Sequence, residues 1–471
     1  MSDVLRALAA PLDLAEETLL ADALRDLLAW QLDLRRFPAL VAAPDGLPIV
    51  SLYTDGRLVG CYGSDEGAPG ERLARAFVQA LGDARFGGVA KEARRRLTAQ
   101  VSYLHSLRRA SVEGATAALE VGTHGVALQT PSNSAMLLPD VAIEHALGPS
   151  ELLDALSRKA GVLREAWPAD ALSTFETTSV VARLDDPAVE DADPVTSAAR
   201  WLADRVRPDG SVEFGFDAAT NEGVSDPPMF HGRVAILVRA LFAQGIGRGA
   251  AVKARRVLEA ELRRAAAGDL PAHFPTSPAL SAGTFALASL AGLDCDDKLL
   301  ELARAPELAH EPWYAAQVVT ALGRRADASL FRACLDDLAR SPWAPWTLSA
   351  AVARGDADAI ALTKRALLST IRETAPHSGG VGPAVPEIAR TAATVEALRT
   401  CADTPTEHDA IRRARAFLFR QQLSCARYAR ARDPRRVDGA FPISPVRHFL
   451  QIDVTAHALL AVVPDTTPFV R

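Results

Sequence analysis

Between residues 15 and 35 the apolar side chains Leu19, Leu20, Ala23, Leu24, Leu27, Leu28 and Leu32 recur at helical spacing, which predicts an amphipathic helix. The pattern then changes. Residues 49–53 and 58–62 read as two strands joined at Thr54-Asp55-Gly56, where glycine supplies the positive φ of a hairpin turn. Helical periodicity returns over 72–81, 100–104 reads as a strand, and 120–129 as a strand interrupted by Gly122 and Gly125. This mixture predicts an α+β N-terminal domain.

Residues 184–194, LDDPAVEDADP, are acidic, carry prolines and lack apolar periodicity, as an exposed linker does. The predicted domains are therefore 1–186 and 187–471. Beyond the linker strand-like alternation disappears. Helices are predicted over 195–206, 229–244, 249–267, 278–291, 311–322, 327–339, 345–353, 356–372, 386–401, 406–423 and 449–463, which suggests stacked helical hairpins. Three glycine turns, Asp209-Gly210, Gly379-Gly380 and Asp438-Gly439, each precede a helix with small residues followed by leucine, a weak internal repeat. With PDGSVEFGF and VDGAFPIS, this part resembles the α/α toroid superfamily of terpenoid cyclases and prenyltransferase β subunits over about residues 195–463. The resemblance implies an all-α toroid whose last helix packs beside its first.

Composition narrows the class. With 49% hydrophobic and 23% charged residues among 471, the chain can bury sizeable cores. A formal net charge of −6 supplies no global field toward nucleic acid or anionic lipid, so neither is expected as a partner. No stretch reads as a membrane span. The start places Asp3, Asp13, Glu16 and Glu17 where a secretory leader would need a basic end and an unbroken apolar run. Cys61, Cys295, Cys334, Cys401 and Cys425 are scattered and odd in number. A cytoplasmic protein without a disulfide framework is the expectation.

Residues 57–185 carry a more specific set of motifs in one order: Leu58-Val59-Gly60-Cys61-Tyr62-Gly63, Asp83-Ala84-Arg85-Phe86, Val101-Ser102-Tyr103-Leu104, Gly122-Thr123-His124-Gly125, the segment Leu137 to Glu144, and Lys159-Ala160-Gly161 followed by Trp167. These resemble the AMMECR family. The resemblance implies an α+β domain in which the cysteine loop and the histidine loop share a cleft, in a family regarded as enzymes without a settled reaction. It also implies Memo-like or radical-SAM proteins as partners. Two positions depart from the family pattern: Val59 stands where arginine is usual before the Gly-Cys pair, and Asp140 where glutamine is usual. The first removes a bidentate grip on an anion, and the second adds a carboxylate.

Cys61 lies between Gly60 and Gly63, a setting that can present a thiol to a closely approaching ligand. A nucleophilic cysteine acts as its thiolate, and an imidazole can take the proton. His124, lying between Gly122 and Gly125, is the candidate, with Glu144 to orient it. Gly60, Gly63, Asp140 and Lys159 are the candidate substrate-binding residues. The plainer alternative makes Cys61 a small buried apolar residue, His124 a turn residue, and Glu144 and Lys159 helix-surface charges. No cofactor and no metal is expected.

In the helical part Asp294-Cys295-Asp296-Asp297 spells the D-x-D-D string of class II terpene cyclases, but its place before Leu299-Leu300 is explained by the start of a helix. Asp453 and His457 share one helical face, with His448 before them, as half of a metal site would. His231, His377 and Glu387 sit near helix starts or turns. Arg427, Arg430, Arg432, Arg435 and Arg436 form a local basic run able to clamp a phosphate or carboxylate. The expected function is cysteine- and histidine-dependent group transfer or hydrolysis in the first domain, the toroid helping to bind a small-molecule or peptide substrate. The alternatives are a noncatalytic partner-binding scaffold and a terpenoid-type cyclase.

Overall fold

The computed structural model describes residues 7–8, 10–32, 43–112, 114–184, 193–225, 227, 229–336, 344–373, 377–382, 385–425 and 428–463. Most of the predicted linker, 185–192, lies outside the described residues, as does Arg427 of the basic run.

The first half is built on strands β1 (Pro48–Thr54), β2 (Arg57–Gly63), β3 (Leu97–Arg109), β4 (His124–Gln129), β5 (Ser134–Leu137) and β6 (Leu172–Arg183), with helices α1 (Leu14–Trp30), α2 (Pro69–Leu81), α3 (Ala115–Ala118), α4 (Pro139–Glu144) and α5 (Pro149–Ala160). The strands form one antiparallel sheet in the order β2-β1-β3-β6-β4-β5. The β1–β2 turn is the predicted one: Asp55 and Gly56 both have positive φ, 49° and 80°, the two-residue geometry that matches strand twist. Alternation sorts the side chains between the two faces. Val50, Leu52, Ala99, Val101, Tyr103, Val180 and Ala182 face outward and are buried under α1 and α2. The opposite face is concave. Cys61 of edge strand β2 shares an apolar cluster there with Ile49, Leu104, Ala127, Phe175 and, from the other edge, Met136, so the sheet curls on itself.

Several boundaries differ from expectation. The strand predicted over 100–104 is the middle of β3, and the one predicted over 120–129 starts only at His124, because Glu120–Thr123 form a turn closed by His124 N donating to Glu120 O at 2.8 Å. β5 and β6 were not predicted.

The second half contains α6 (Pro194–Asp204), β7 (Gly215–Asp217), α7 (Phe230–Gln244), α8 (Arg248–Ala266), α9 (Pro278–Leu290), α10 (Asp296–Leu302), α11 (Pro312–Leu322), α12 (Ala328–Asp336), α13 (Ala344–Arg354), α14 (Ala357–Leu368), α15 (Ile388–Arg399), α16 (Pro405–Gln421), α17 (Pro434–Val437), β8 (Pro442–Ser444), β9 (Arg447–Gln451) and α18 (Ile452–Val462). Strands were not expected here, yet β7, β9 and β8 form a small antiparallel sheet, and β9 takes the first residues of the helix predicted over 449–463. α9, with the sequence PALSAGTFALASL, is buried on nearly every side, whereas α8 and α16 are amphipathic. Each buried helix packs on the next: α7 on α9, α9 on α11, α11 on α13, α13 on α15, α15 on α18, and α18 on α7 and α6. The more polar α8, α10, α12, α14 and α16 pack on α7, α9, α11, α13 and α15 in turn. The repeated glycines have a common role. A Cβ at Gly210, Gly379 or Gly439 would run into the backbone carbonyl of Lys253, Arg413 or Ser197, on α8, α16 and α6 respectively, so each turn lies flat against a polar-faced helix.

The halves share buried contacts. Arg183 at the end of β6 donates to Cys425 O at 2.8 Å, Tyr428 O at 2.9 Å and Thr98 Oγ1 at 3.1 Å. Val446 joins the core under α5, and Ala429 packs with Tyr53 and Val181.

Candidate functional site

Strand registers fix which side chains share the concave face. Cys61 pairs with Ser51, Ser51 with Gln100, and Gln100 with Val181, so these four form one row across the sheet. The next row holds Ser102 opposite Ser179. Polar groups therefore sit where an apolar core would be the default. Gln100 Nε2 donates to Asp140 Oδ2 at 2.6 Å, to Ser102 Oγ at 3.2 Å and to Ser179 Oγ at 3.4 Å, and the two serine hydroxyls are 2.8 Å apart. Asp140, at the first turn of α4, is the sequence candidate that joins this network. Burial pushes its carboxyl upward, against the Gln100 hydrogen bond and the Arg430 charge, while Glu144 adds to the rise. Glu144 is thus an electrostatic neighbour of Asp140, one turn along α4.

Cys61 is half-buried, with Ser51 Oγ 3.5 Å from its sulfur. Its backbone is anchored on both sides: Asp83 Oδ2 accepts from Cys61 N at 3.1 Å, and Arg85 donates to Cys61 O while gripping Asp83 at 2.7 and 3.0 Å. This explains the Asp-Ala-Arg-Phe motif as a brace on β2. The Arg85 pairing holds the Asp83 carboxyl down at about 2. Burial pushes the Cys61 thiol up, offset in part by Ser51, Arg85 and Lys159. Lys159, near the end of α5, donates to Met136 O at 2.8 Å and so stands at the β5 edge, close enough for its charge to act on the sulfur.

His124 does not meet Cys61. On β6 the residue on Cys61's face is Phe175, which pairs with Gly125, and His124 pairs with Glu176 on the other face. Period-two alternation thus puts thiol and imidazole on opposite sides of the sheet. His124 Nδ1 instead accepts from Glu120 N at 3.0 Å, and its neighbours include His377 of the helical half. His377 is fully buried, 3.7 Å from Glu120 Oε1, and burial holds its pKa down. The implied sharing of a cleft by the cysteine and histidine segments is corrected accordingly. Gly60 is also reassigned. A Cβ there would overlap Ala80 O at the end of α2, so the missing side chain admits a helix rather than a ligand. Beside Gly63 a Cβ would meet Ile49 Cγ1 at 3.3 Å and Pro48 O at 3.5 Å.

Ser51, Tyr53, Gln100, Ser102 and Ser179 were missed by sequence reasoning. The alternation of Gln100 and Ser102 within an otherwise apolar strand was the legible signal. From the helical half, Tyr428, Arg430 and His448 approach the same face: the Arg430 charge acts on Tyr53, Asp140, Tyr428 and His448. The rest of the basic run is dispersed, with Arg432 donating to Thr220 O at 3.1 Å and Arg436 paired with Glu213 at 2.6 Å.

The other helical candidates are occupied by internal contacts. Asp296 accepts from Ser289 at 2.8 Å and pairs with Arg325 at 2.6 Å at the start of α10. Asp453 pairs with Arg233 at 2.6 Å, and His457 with Glu396 at 2.8 Å, so the two do not act as one half-site. His231 meets Glu261 at 3.0 Å, and Glu387 lies at the N-terminal cap of α15. Among the described residues no group of three or more potential ligands could hold a metal ion, and no helix is long and apolar enough to cross a membrane.

His448 makes a pH prediction. Burial and the Arg430 charge lower its pKa to about 4, below the 6.5 of an exposed histidine. The unfolded chain then binds the proton first as pH falls. Stability present above pH 6.5 is lost on the way to pH 4, by about 2 kcal/mol at pH 5. Urea unfolding at pH 7 and pH 5 checks this, and a His448→Gln variant with an unchanged pH slope would refute the assignment.

Comparison with known proteins bears on the first half. Residues 35–180 match the AMMECR1 family model. Protein TV1384 of Thermoplasma volcanium is 31% identical over 123 residues, 25% of this chain and 61% of that protein. Protein Mbar_A1807 of Methanosarcina barkeri is 32% identical over 135 residues, 27% of this chain and 66% of that protein. This chain therefore spans 61% and 66% of the lengths of these curated relatives. Among solved structures, the uncharacterized protein PH0010 from Pyrococcus horikoshii shares 22% identity with a TM-score of 0.30, covering 36% of this chain and 92% of that one. Residues 35–180 are thus an AMMECR1 domain, to which this chain adds a largely helical second half.

Proposed function

We propose that the concave face of the sheet is an active site in which the Cys61 thiolate attacks a small-molecule or peptide substrate, in group transfer or hydrolysis. The observation that carries this reading is a half-buried thiol beside a polar network of Ser51, Gln100, Ser102, Ser179 and Asp140 on a face whose remainder is apolar. Such a polar network is retained at a cost in stability that an apolar core would not incur. Arg85 and Lys159, rather than His124, are the groups whose charge favours the thiolate. The helical half is read as an α/α toroid, supported by the cyclic series of contacts among α7, α9, α11, α13, α15 and α18. Its role in this reading is to help hold the substrate.

Iodoacetamide labelling across pH tests the thiol. Labelling of Cys61 should follow an apparent pKa above the roughly 8.5 of a free thiol, and Lys159→Met should move it higher still. His124→Ala should leave the profile in place. A shift of labelling on His124→Ala would overturn the separation of His124 from the thiol, and a thiol that never labels in the folded protein would remove Cys61 as nucleophile.

A further inference from the structure

Two buried hydrogen-bonding groups of the helical half lie beside this face without partners. Arg430 Nε and the Tyr428 hydroxyl are both buried and make no hydrogen bond, and Tyr428 as a whole is only 9% exposed. They are placed there by the fold. Between them Ala429 packs on Tyr53 and Val181, and the Arg430 carbonyl lies against Gly56 of the β1–β2 turn. The carboxylates of the other half, Asp140 and Glu144, are near enough to act electrostatically on Tyr428 and Tyr53. Arg430 nevertheless forms no ion pair with either among the described residues.

Burying a donor without a partner is unfavourable, because the group gives up its hydrogen bond to water and gains none in return. Arg430 is half-buried, and a guanidinium beside two carboxylates would ordinarily close onto one of them through charge-assisted hydrogen bonds. Donors that stay apart from the available acceptors instead define a bipolar site: acceptor oxygens belong at Arg430 and Tyr428, and a donor belongs at Asp140 and Glu144. One arginine against two carboxylates also disfavours a multiply charged anion such as phosphate. The matching chemistry is a zwitterion.

We propose that the helical half completes the concave site, with Arg430 and Tyr428 binding the carboxylate of an amino-acid ligand whose amino group faces Asp140 and Glu144. This rests on the reading of the concave face as a ligand site, but it does not depend on Cys61 chemistry.

The test uses the full-length protein and a panel of the standard L-α-amino acids, with ethylamine, acetate and inorganic phosphate as single-function probes. Thermal unfolding screens the panel and calorimetry follows any positive. At least one amino acid should raise the melting temperature where none of the single-function probes does. Arg430→Gln should weaken that ligand by about tenfold or more, as loss of a charge-assisted hydrogen bond does. Tyr428→Phe should weaken it by a smaller factor, and it carries the test if Arg430→Gln does not fold. Thiol labelling and ligand binding are measured independently on the unsubstituted protein, so failed thiol labelling and failed ligand binding remain separate results. The proposal is overturned if no amino acid shifts the transition, if acetate, ethylamine or phosphate alone gives the whole shift, or if binding survives both the Arg430 and Tyr428 substitutions.

Discussion

Arg183→Met should lower the stability of the full chain by about 3 kcal/mol, the range for breaking a buried, charge-assisted hydrogen-bond set. The residue is 7% exposed and its guanidinium spans the two halves, donating to Thr98 on one side and to the Cys425 and Tyr428 carbonyls on the other. Methionine keeps much of the apolar stem, so the loss isolates the fork and the two carbonyls it leaves behind. Because Tyr428 is one of those anchors, the same variant should also weaken ligand binding by Arg430 and Tyr428. Urea unfolding followed by tryptophan fluorescence measures the first effect. A shift below about 1 kcal/mol, the scale of an exposed ion pair, would mean that Arg183 does not clamp the halves together.

Gly60→Ala should cost about 3 kcal/mol or more, the scale of overpacking against a rigid neighbour. The added methyl would overlap the Ala80 carbonyl oxygen, a backbone atom at the end of α2 that cannot rotate away as a flexible side chain would. Either β2 or α2 must move, and Cys61 is the next residue on β2. Its contact with Ser51 should loosen with the strand, making the thiol label faster in whatever fraction stays folded. Gly63→Ala is the control: its nearest neighbours, at 3.3 and 3.5 Å, ask for a shift of tenths of an ångström, and the cost should stay under about 1 kcal/mol. Equal melting temperatures for the two variants would refute the packing argument.

Local pattern determined a good part of the protein. Leucine spacing located α1, and Asp55-Gly56 specified the β1–β2 turn, because a tight hairpin needs positive φ and few residues supply it. The helical nature of the second half and its glycine repeat were also legible. So was Asp140, as a carboxylate added to a known motif. β5 and β6 were not, since their segments mix small, polar and apolar residues and gain their strand character only by pairing with β4 and β3. The small sheet of β7, β8 and β9 escaped for the same reason. The site depended most on tertiary structure. Sequence proximity of motifs says nothing about which face of a sheet a residue occupies, and a single register step separates His124 from the face that Gly125 shares with Cys61. Arg430 and Tyr428 lie hundreds of residues from Ser51 and Cys61, and only the packing of the helical half on the sheet brings their unpaired donors to Asp140.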